Sequence, residues 1–383
     1  MGLLRLYLAL CVVGAHSGPM FPWSAHDAHQ AVQIFYIISG FYMQMVYGTK
    51  YTAPGEFYAN RFMRIFFPYW IILALTVALS VFATAVHWQW VWTSLRPYID
   101  APLQKNGLLG VLVAGLSNIT IFFQDWVMFL EHDAGKSLAF TSDFRTSGSP
   151  LYQYLFLPQA WTVGVELTFY LLVPWLSRLG SRTLVALVIA SLLARVFAYE
   201  LLDLKRDPWE YRFFPFELAL FVMGMLSYRM YRTFPYQSIT LQPGSTRGYC
   251  LMVLLLAVAF AGASQAVELL AAMIGHHYAV LVSYVGWAFA IPALFQVFGR
   301  WKHDRFIGEL SYPVYLSHLI VVSIVVAILG RLGAPNEVVG PISGVFAVLL
   351  AIVLYVYLFE PLESRRHAIA KRLTGGHVTP QQA

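Results

Sequence analysis

Charged residues are scarce in this chain of 383 residues. Asp, Glu, Lys and Arg make up 11% of it and hydrophobic residues 59%, whereas a soluble globular domain carries about 25% charged residues. So little charge excludes a soluble enzyme, and no polar stretch is long enough to fold as a separate domain. The net charge of +6 fits Lys and Arg gathered in cytoplasmic loops, so we expect no nucleic-acid partner.

Cysteine is nearly absent as well. The two cysteines, Cys11 and Cys250, both lie in apolar runs, where a thiol serves as a small hydrophobic side chain. They predict neither a disulfide framework nor a metal site. The histidines are too sparse and too unevenly spaced for a zinc site, and we expect no metal.

Long apolar runs are abundant instead. A helix needs about 20 apolar residues to cross the hydrocarbon core of a bilayer. Six runs are long enough, 65–86, 182–202, 248–266, 279–298, 311–329 and 338–359, and four further apolar stretches are candidate helices. The sequence therefore predicts an all-α, polytopic integral membrane protein. The ten predicted spans are 4–22, 32–49, 65–86, 161–179, 183–201, 212–231, 248–267, 279–298, 311–330 and 338–359.

One further apolar segment, 105–125, is ambiguous because it is rich in glycine and ends in Asn118 and Asp125. If it does not cross the membrane, the basic connections between the spans all fall on the side of the N-terminus, as the positive-inside rule requires. We therefore expect a re-entrant or interfacial segment there and both termini in the cytoplasm. A membrane domain over 1–363 and a basic cytoplasmic tail over 364–383 follow.

Two ionisable residues interrupt the apolar runs. Glu166 lies near the start of a run that continues to Leu179, and His16 lies near the end of the first run. A carboxylate in hydrocarbon costs several kcal/mol, so such a residue indicates a function. In the predicted topology both side chains fall in the outer half of the membrane, and we expect them to meet within one cavity.

Six short stretches carry a family resemblance. They are Arg5 followed after ten residues by His16, then 35–41 (FYIISGF), 60–70 (NRFMRIFFPYW), 158–170 (PQAWTVGVELTFY), 310–318 (LSYPVYLSH) and 359–361 (FEP). In this order and spacing the chain resembles the membrane acyltransferase-3 family, over almost its whole length. These enzymes O-acylate sugars and other hydroxyl acceptors.

The resemblance implies a reaction and a location. It implies transfer of an acyl group, most often acetyl from acetyl-CoA, to an extracytoplasmic or lipid-linked glycan. It also implies an enzyme embedded in the lipid of a bacterial inner membrane. On this basis His16 and Glu166 are the expected catalytic pair, and Arg5, Arg61 and Arg64 are the expected basic positions. The chain departs from the family pattern at Gln33, Asn60 and 161–163.

Residue chemistry supports the same assignment. An imidazole is a suitable base for a hydroxyl proton at neutral pH, and a carboxylate can orient it or act as the base. Arg61 and Arg64 are three residues apart and so share one helix face, where their planar guanidinium groups suit phosphate oxygens of coenzyme A. Further candidates are Ser39 and Tyr69 for the donor, and Trp161, Tyr170, Glu217 and His318 for the acceptor.

Other interpretations stay open at this stage. His16 can be an interfacial residue at a helix end, Glu166 can pair with a buried arginine such as Arg195, and Arg61 and Arg64 can serve only as topology determinants. His318 can serve only to form a structural hydrogen bond. The competing function is a proton-coupled transporter or flippase, in which His16 and Glu166 relay protons.

Overall fold

The computed structural model describes residues 1–21, 26–51, 53–86, 95–100, 108–132, 138–234, 246–298, 301 and 303–362. The expected basic tail, 364–383, lies outside these residues. The helices are Gly2–Ser17 (α1), Ala28–Val46 (α2), Pro54–Ala85 (α3), Arg96–Asp100 (α4), Leu108–Thr120 (α5), Gln124–Val127 (α6), Trp161–Leu176 (α7), Ser181–Leu201 (α8), Phe214–Thr233 (α9), Thr246–Ile274 (α10), His276–Phe298 (α11), Asp304–Arg331 (α12) and Val339–Leu354 (α13).

Little other regular structure accompanies these helices in the described residues. Leu130–Glu131 (β1) pairs antiparallel with Ala139–Phe140 (β2) in the loop that precedes α7. Short 3₁₀ turns lie nearby at Leu151–Tyr154 and Pro158–Ala160, and a π-helical turn, Tyr355–Phe359, follows α13. The expected all-α membrane fold is confirmed.

Each of the ten predicted spans coincides with one of these helices. Six stretches of the described chain are long and apolar enough to cross a membrane, and they fall on α3, α8, α10, α11, α12 and α13. The four other predicted spans, α1, α2, α7 and α9, are shorter or more polar. Most residues of these four helices are buried or half-buried in the bundle, where polar side chains such as Ser39 and Glu217 bond to other protein groups.

Glycine allows α2 and α9 to cross at backbone contact. A Cβ atom added at Gly40 would overlap the carbonyl oxygen of Phe221, and one added at Gly224 would overlap the carbonyl oxygen of Ile37. No other residue type tolerates so close an approach. The crossing fixes the centre of the bundle, and α7 packs beside it with Phe169 stacked on Phe221 at 4.3 Å between ring centroids.

The ambiguous segment forms the 13-residue helix α5. At 1.5 Å per residue such a helix is about 20 Å long, shorter than the hydrocarbon core. Asn118 at its end is buried, and its carbonyl oxygen accepts a hydrogen bond of 2.7 Å from the Tyr69 hydroxyl on α3. The segment is therefore fastened to the side of the bundle, which is compatible with the expected re-entrant or interfacial placement.

Candidate functional site

A cavity of about 480 Å³, called here the main cavity, lies between α1, α2, α3, α7 and α12. Its size is that of a small-molecule site. Of the predicted site residues, six line it: Arg5, Ser39, Arg61, Arg64, Glu166 and Tyr170. These residues come from four helices, so the fold brings together positions that are distant in sequence.

Glu166 is the fixed carboxylate of this cavity. One oxygen, Oε1, accepts hydrogen bonds from the Ser39 hydroxyl at 2.5 Å and from the Tyr170 hydroxyl at 2.6 Å. Tyr170 lies one helical turn after Glu166 on α7, whereas Ser39 comes from α2. Charge-assisted hydrogen bonds of this length orient the carboxylate. The half-buried side chain lines the cavity, and among the described residues no donor contacts its second oxygen.

Four arginines line the same cavity: the three predicted ones, Arg5, Arg61 and Arg64, and in addition Arg305. Arg64 forms an ion pair with Glu309 of α12, in which its Nη2 atom donates to both carboxylate oxygens, at 2.6 and 2.8 Å. Arg61 is buried and its Nε atom has no hydrogen-bond partner in the described structure. No carboxylate of the described chain lies within ion-pair distance of Arg5 or Arg61. These two guanidinium groups are therefore suited to an anionic ligand.

His16 occupies a different place from Glu166. It is exposed, and it is not among the described residues that line the main cavity. Its ring centroid lies 5.2 Å from that of His318 on α12. We expected the imidazole and the carboxylate to meet within one cavity, and the structure differs from this expectation. Arg5 of α1 lines the main cavity, whereas His16 lies three helical turns further along α1 and does not line it.

A chain of contacts nevertheless joins His16 to the main cavity. The buried His318 uses Nδ1 to bond the carbonyl oxygen of Tyr315 at 2.5 Å, and its Nε2 has no partner among described residues. Since a carbonyl only accepts, Nδ1 carries the proton and Nε2 is left as an acceptor. The Tyr315 and Thr162 hydroxyls lie 2.8 Å apart, and both line the cavity.

Trp161 begins α7 and packs on a buried ion pair. The guanidinium of Arg212 lies 4.1 Å from the ring centroid of Trp161 and bonds both oxygens of Asp207, at 2.5 and 2.9 Å.

Sequence reasoning did not identify Arg212, although a charged residue beside the apolar run 213–225 was the available signal. Glu309 was also missed, although it is an acidic residue within an apolar helix.

Two predicted binding residues are enclosed by protein. Tyr69 is buried between Asn118 and the Gln124 amide. Glu217 is fully buried; the Gln33 amide nitrogen contacts both of its oxygens at 3.0 Å, and Arg195 lies 3.3 Å away. Arg195 therefore pairs with Glu217 and not with Glu166. This network joins α2, α8 and α9, and it does not line the main cavity.

Comparison with known proteins gives one match. A family model described as an acyltransferase domain, of the acyltransferase-3 type, matches residues 1–360. No curated protein and no solved structure matches the chain. The matched range includes every residue of the main cavity.

Proposed function

Because the chain belongs to the acyltransferase-3 family of membrane acyltransferases, we propose that it is an O-acyltransferase acting on a glycan. It takes an acyl group, acetyl in the simplest case, from acyl-CoA on the cytoplasmic side. It delivers the group to a hydroxyl of an extracytoplasmic or lipid-linked sugar. The observation that carries the proposal is the main cavity, which Arg5, Arg61 and Arg64 line together with the oriented carboxylate of Glu166.

The arginines account for the donor. Coenzyme A carries phosphate groups, and guanidinium groups bind phosphate oxygens through paired hydrogen bonds. Arg5 and Arg61 have no carboxylate partner within ion-pair distance in the described residues, so a phosphate would not have to displace an existing ion pair. Arg64 already forms an ion pair with Glu309. We therefore assign it to maintaining the shape of the site and not to binding phosphate.

The reaction needs one base and one acid. The acceptor hydroxyl oxygen attacks the thioester carbonyl, a C–O bond forms, the C–S bond breaks, and the hydroxyl proton must leave. His16 is assigned as the base, with the buried His318 beside it as the positioning residue. The proton is returned to the departing thiolate of coenzyme A, so atoms and charge balance. Glu166, held by Ser39 and Tyr170, is assigned to the donor side of the same reaction.

The proposal includes the orientation of the protein in the membrane. Both termini lie in the cytoplasm of a bacterial cell, and the protein crosses the inner membrane several times. The main cavity then faces the cytoplasmic supply of acyl-CoA, and His16 faces the acceptor. Tyr315 and Thr162 lie on the route between the two ends.

The direct test uses purified protein in lipid nanodiscs with acetyl-CoA and a panel of glycans, with products read by mass spectrometry. His16→Ala and Glu166→Gln should each reduce transfer at least a hundredfold. The matched controls are His276→Ala and Glu268→Gln, which alter exposed residues outside the cavity and should retain activity. Wild-type transfer in both test variants would refute the assigned mechanism.

A second measurement separates the enzyme from the transporter. Acetyl-CoA should stabilise the protein against thermal unfolding, since a ligand that binds the native state raises its stability. Arg61→Ala should abolish the shift. Proton-coupled uptake of a glycan into liposomes without acyl-CoA, together with no thermal shift, would support the transporter instead.

A further inference from the structure

Hydroxyl groups are frequent in the wall of the main cavity, and most of them are already used by the protein. The side chains with a hydroxyl that line it are Tyr36, Ser39, Tyr42, Thr162, Tyr170, Ser311, Tyr312 and Tyr315. All but Tyr36 and Tyr42 donate a hydrogen bond to a protein acceptor. Among the described contacts these two donate to none, so only they can offer a proton to a ligand without breaking an existing bond.

Tyr36 and Tyr42 differ in burial and in surroundings. Tyr42 is half-buried and lies where the charges of Arg5 and Asp304 act on it. Tyr36 is 3% exposed, and its hydroxyl is buried without a partner in the described structure. A buried hydroxyl that makes no hydrogen bond lowers stability, and in the wall of a cavity its partner is a ligand or a water molecule. Tyr36 is therefore the donor that a ligand of the main cavity would complete.

The ring of Tyr36 is held in place by the centre of the bundle. It stacks on Phe221 of α9 with 4.5 Å between ring centroids, and Phe221 in turn stacks on Phe169 of α7 at 4.3 Å. Phe221 is also the residue whose backbone meets Gly40 at the α2–α9 crossing. The hydroxyl is thus positioned by packing that does not depend on a ligand. A donor that is already in place needs no reorganisation when charge develops beside it.

Tyr36 belongs to the end of the main cavity that adjoins the assigned base. Tyr315 lies within electrostatic range of the Tyr36 hydroxyl, and both residues line the cavity. The carbonyl oxygen of Tyr315 accepts the hydrogen bond from His318, whose ring lies beside that of His16. Tyr36 therefore lies on the side of the cavity from which the acceptor hydroxyl would arrive.

The arginine assigned to phosphate lies further along the cavity. Arg5 is beside Gly308 of α12, seven residues before Tyr315 and so about 10 Å away along the helix. The pantetheine arm of coenzyme A spans a distance of this order between its phosphates and its thioester. Phosphates bound at Arg5 would therefore place the thioester near Tyr315 and Tyr36, and away from the arginines.

We propose that the Tyr36 hydroxyl donates a hydrogen bond to the acyl carbonyl oxygen of the donor and stabilises the negative charge that develops on it during transfer. This inference rests on the proposed acyltransferase function and adds a catalytic residue to it. When the acceptor oxygen bonds the carbonyl carbon, one electron pair of the C=O bond moves onto the carbonyl oxygen, and it returns when the C–S bond breaks. Tyr36 keeps its proton throughout, and the acceptor proton still passes through His16 to the thiolate.

The first test measures kcat and KM for acetyl-CoA in Tyr36→Phe, with the best acceptor of the glycan panel at saturation. The kcat should fall about a hundredfold or more, as it does when one donor to a developing oxyanion is removed. The KM should stay within about twofold, because the bond is strongest in the transition state. The thermal midpoint should not fall, since the variant keeps the stacked ring and loses an unpaired buried hydroxyl.

The matched control is Tyr47→Phe. The Tyr47 hydroxyl is likewise buried without a partner in the described structure, but Tyr47 does not line the main cavity. This variant should keep the wild-type kcat. A loss of activity that came only from removing a buried hydroxyl would appear in both variants.

The second test needs no turnover. Acetyl-CoA with an isotope label in its carbonyl group is bound without acceptor, and infrared difference spectra record the carbonyl stretch. The hydrogen bond from Tyr36 should lower the stretching frequency relative to free acetyl-CoA in the wild type and in Tyr47→Phe. The shift should be lost in Tyr36→Phe.

Two results would overturn the inference. One is an unchanged kcat in Tyr36→Phe together with the same carbonyl band as in the wild type, which would leave the hydroxyl to a bound water molecule. The other is a raised KM with an unchanged kcat, which would place the hydroxyl on another part of the donor. A wild-type protein that transfers no acyl group to any glycan would instead refute the proposed function itself, so the two failures are distinguishable.

Discussion

Ser39 on α2 and Glu166 on α7 are 127 residues apart in sequence, and their side chains meet in a hydrogen bond of 2.5 Å. The Tyr170 hydroxyl adds a second bond to the same carboxylate oxygen. Two donors on one oxygen hold the carboxylate in a single orientation toward the main cavity. This relationship links a polar residue of one family motif to the acidic residue of another.

Removing the Ser39 hydroxyl should weaken this orientation. Ser39→Ala should lower kcat for acyl transfer about tenfold, because a hydrogen bond to a charged group contributes about 1.5 kcal/mol or more. The control is Ser323→Ala, since the Ser323 hydroxyl bonds only the carbonyl of Ile320 in its own helix among the described contacts. An unchanged kcat in Ser39→Ala would show that Tyr170 alone is sufficient.

The Arg64–Glu309 pair should show an asymmetric effect on stability. Arg64→Met leaves the Glu309 carboxylate uncompensated, and the loss should be about 2 kcal/mol, reduced by solvent screening because the Arg64 side chain is 33% exposed. The double variant Arg64→Met/Glu309→Leu should recover most of that loss. Denaturant unfolding in detergent measures both. Equal destabilisation by the single and double variants would contradict this expectation.

The α2–α9 crossing should not tolerate a methyl group. Gly40→Ala should destabilise the protein by about 3 kcal/mol or more, because the added Cβ overlaps the backbone of Phe221 and overpacking has no room to relax. Gly286→Ala is the matched control, since a Cβ there meets no atom within 4 Å. Thermal midpoints and the yield of monodisperse protein report the difference; similar values for both variants would argue against the close crossing.

Asp125, in α6 outside the membrane spans, should make stability depend on pH. Burial raises the pKa of its carboxyl from 3.8 to about 7. The folded protein therefore keeps the proton after the unfolded chain has released it. This contribution to stability is complete below about pH 4 and is lost as the pH rises through about 7.

Asp125→Asn removes the titrating group and should flatten the loss of thermal stability between these pH values. The control is Asp203→Asn, because the Asp203 side chain is 85% exposed and should leave the pH profile as in the wild type. A profile that is identical in the wild type and in Asp125→Asn would rule out a buried, protonated Asp125.

The sequence alone was sufficient for the class of protein and for its ten long helices, but not for the short helices α4 and α6. All ten predicted spans coincide with helices, because in lipid the backbone must satisfy its own hydrogen bonds and apolar runs of sufficient length fold as helices. Glu166, Arg61 and Arg64 were also identifiable, since a charge within or beside an apolar run stands out from its neighbours. The order of the six motifs was specific enough to indicate the family.

Only the tertiary structure decided which of these side chains share a cavity. The depth and rotation of each helix depend on packing contacts between residues distant in sequence, such as the Gly40–Phe221 contact. Helical periodicity says which residues share a face, but not what that face meets. For this reason the sequence could not place His16 and Glu166 relative to each other. Only the structure shows that Arg195 pairs with Glu217 and that Glu309 pairs with Arg64.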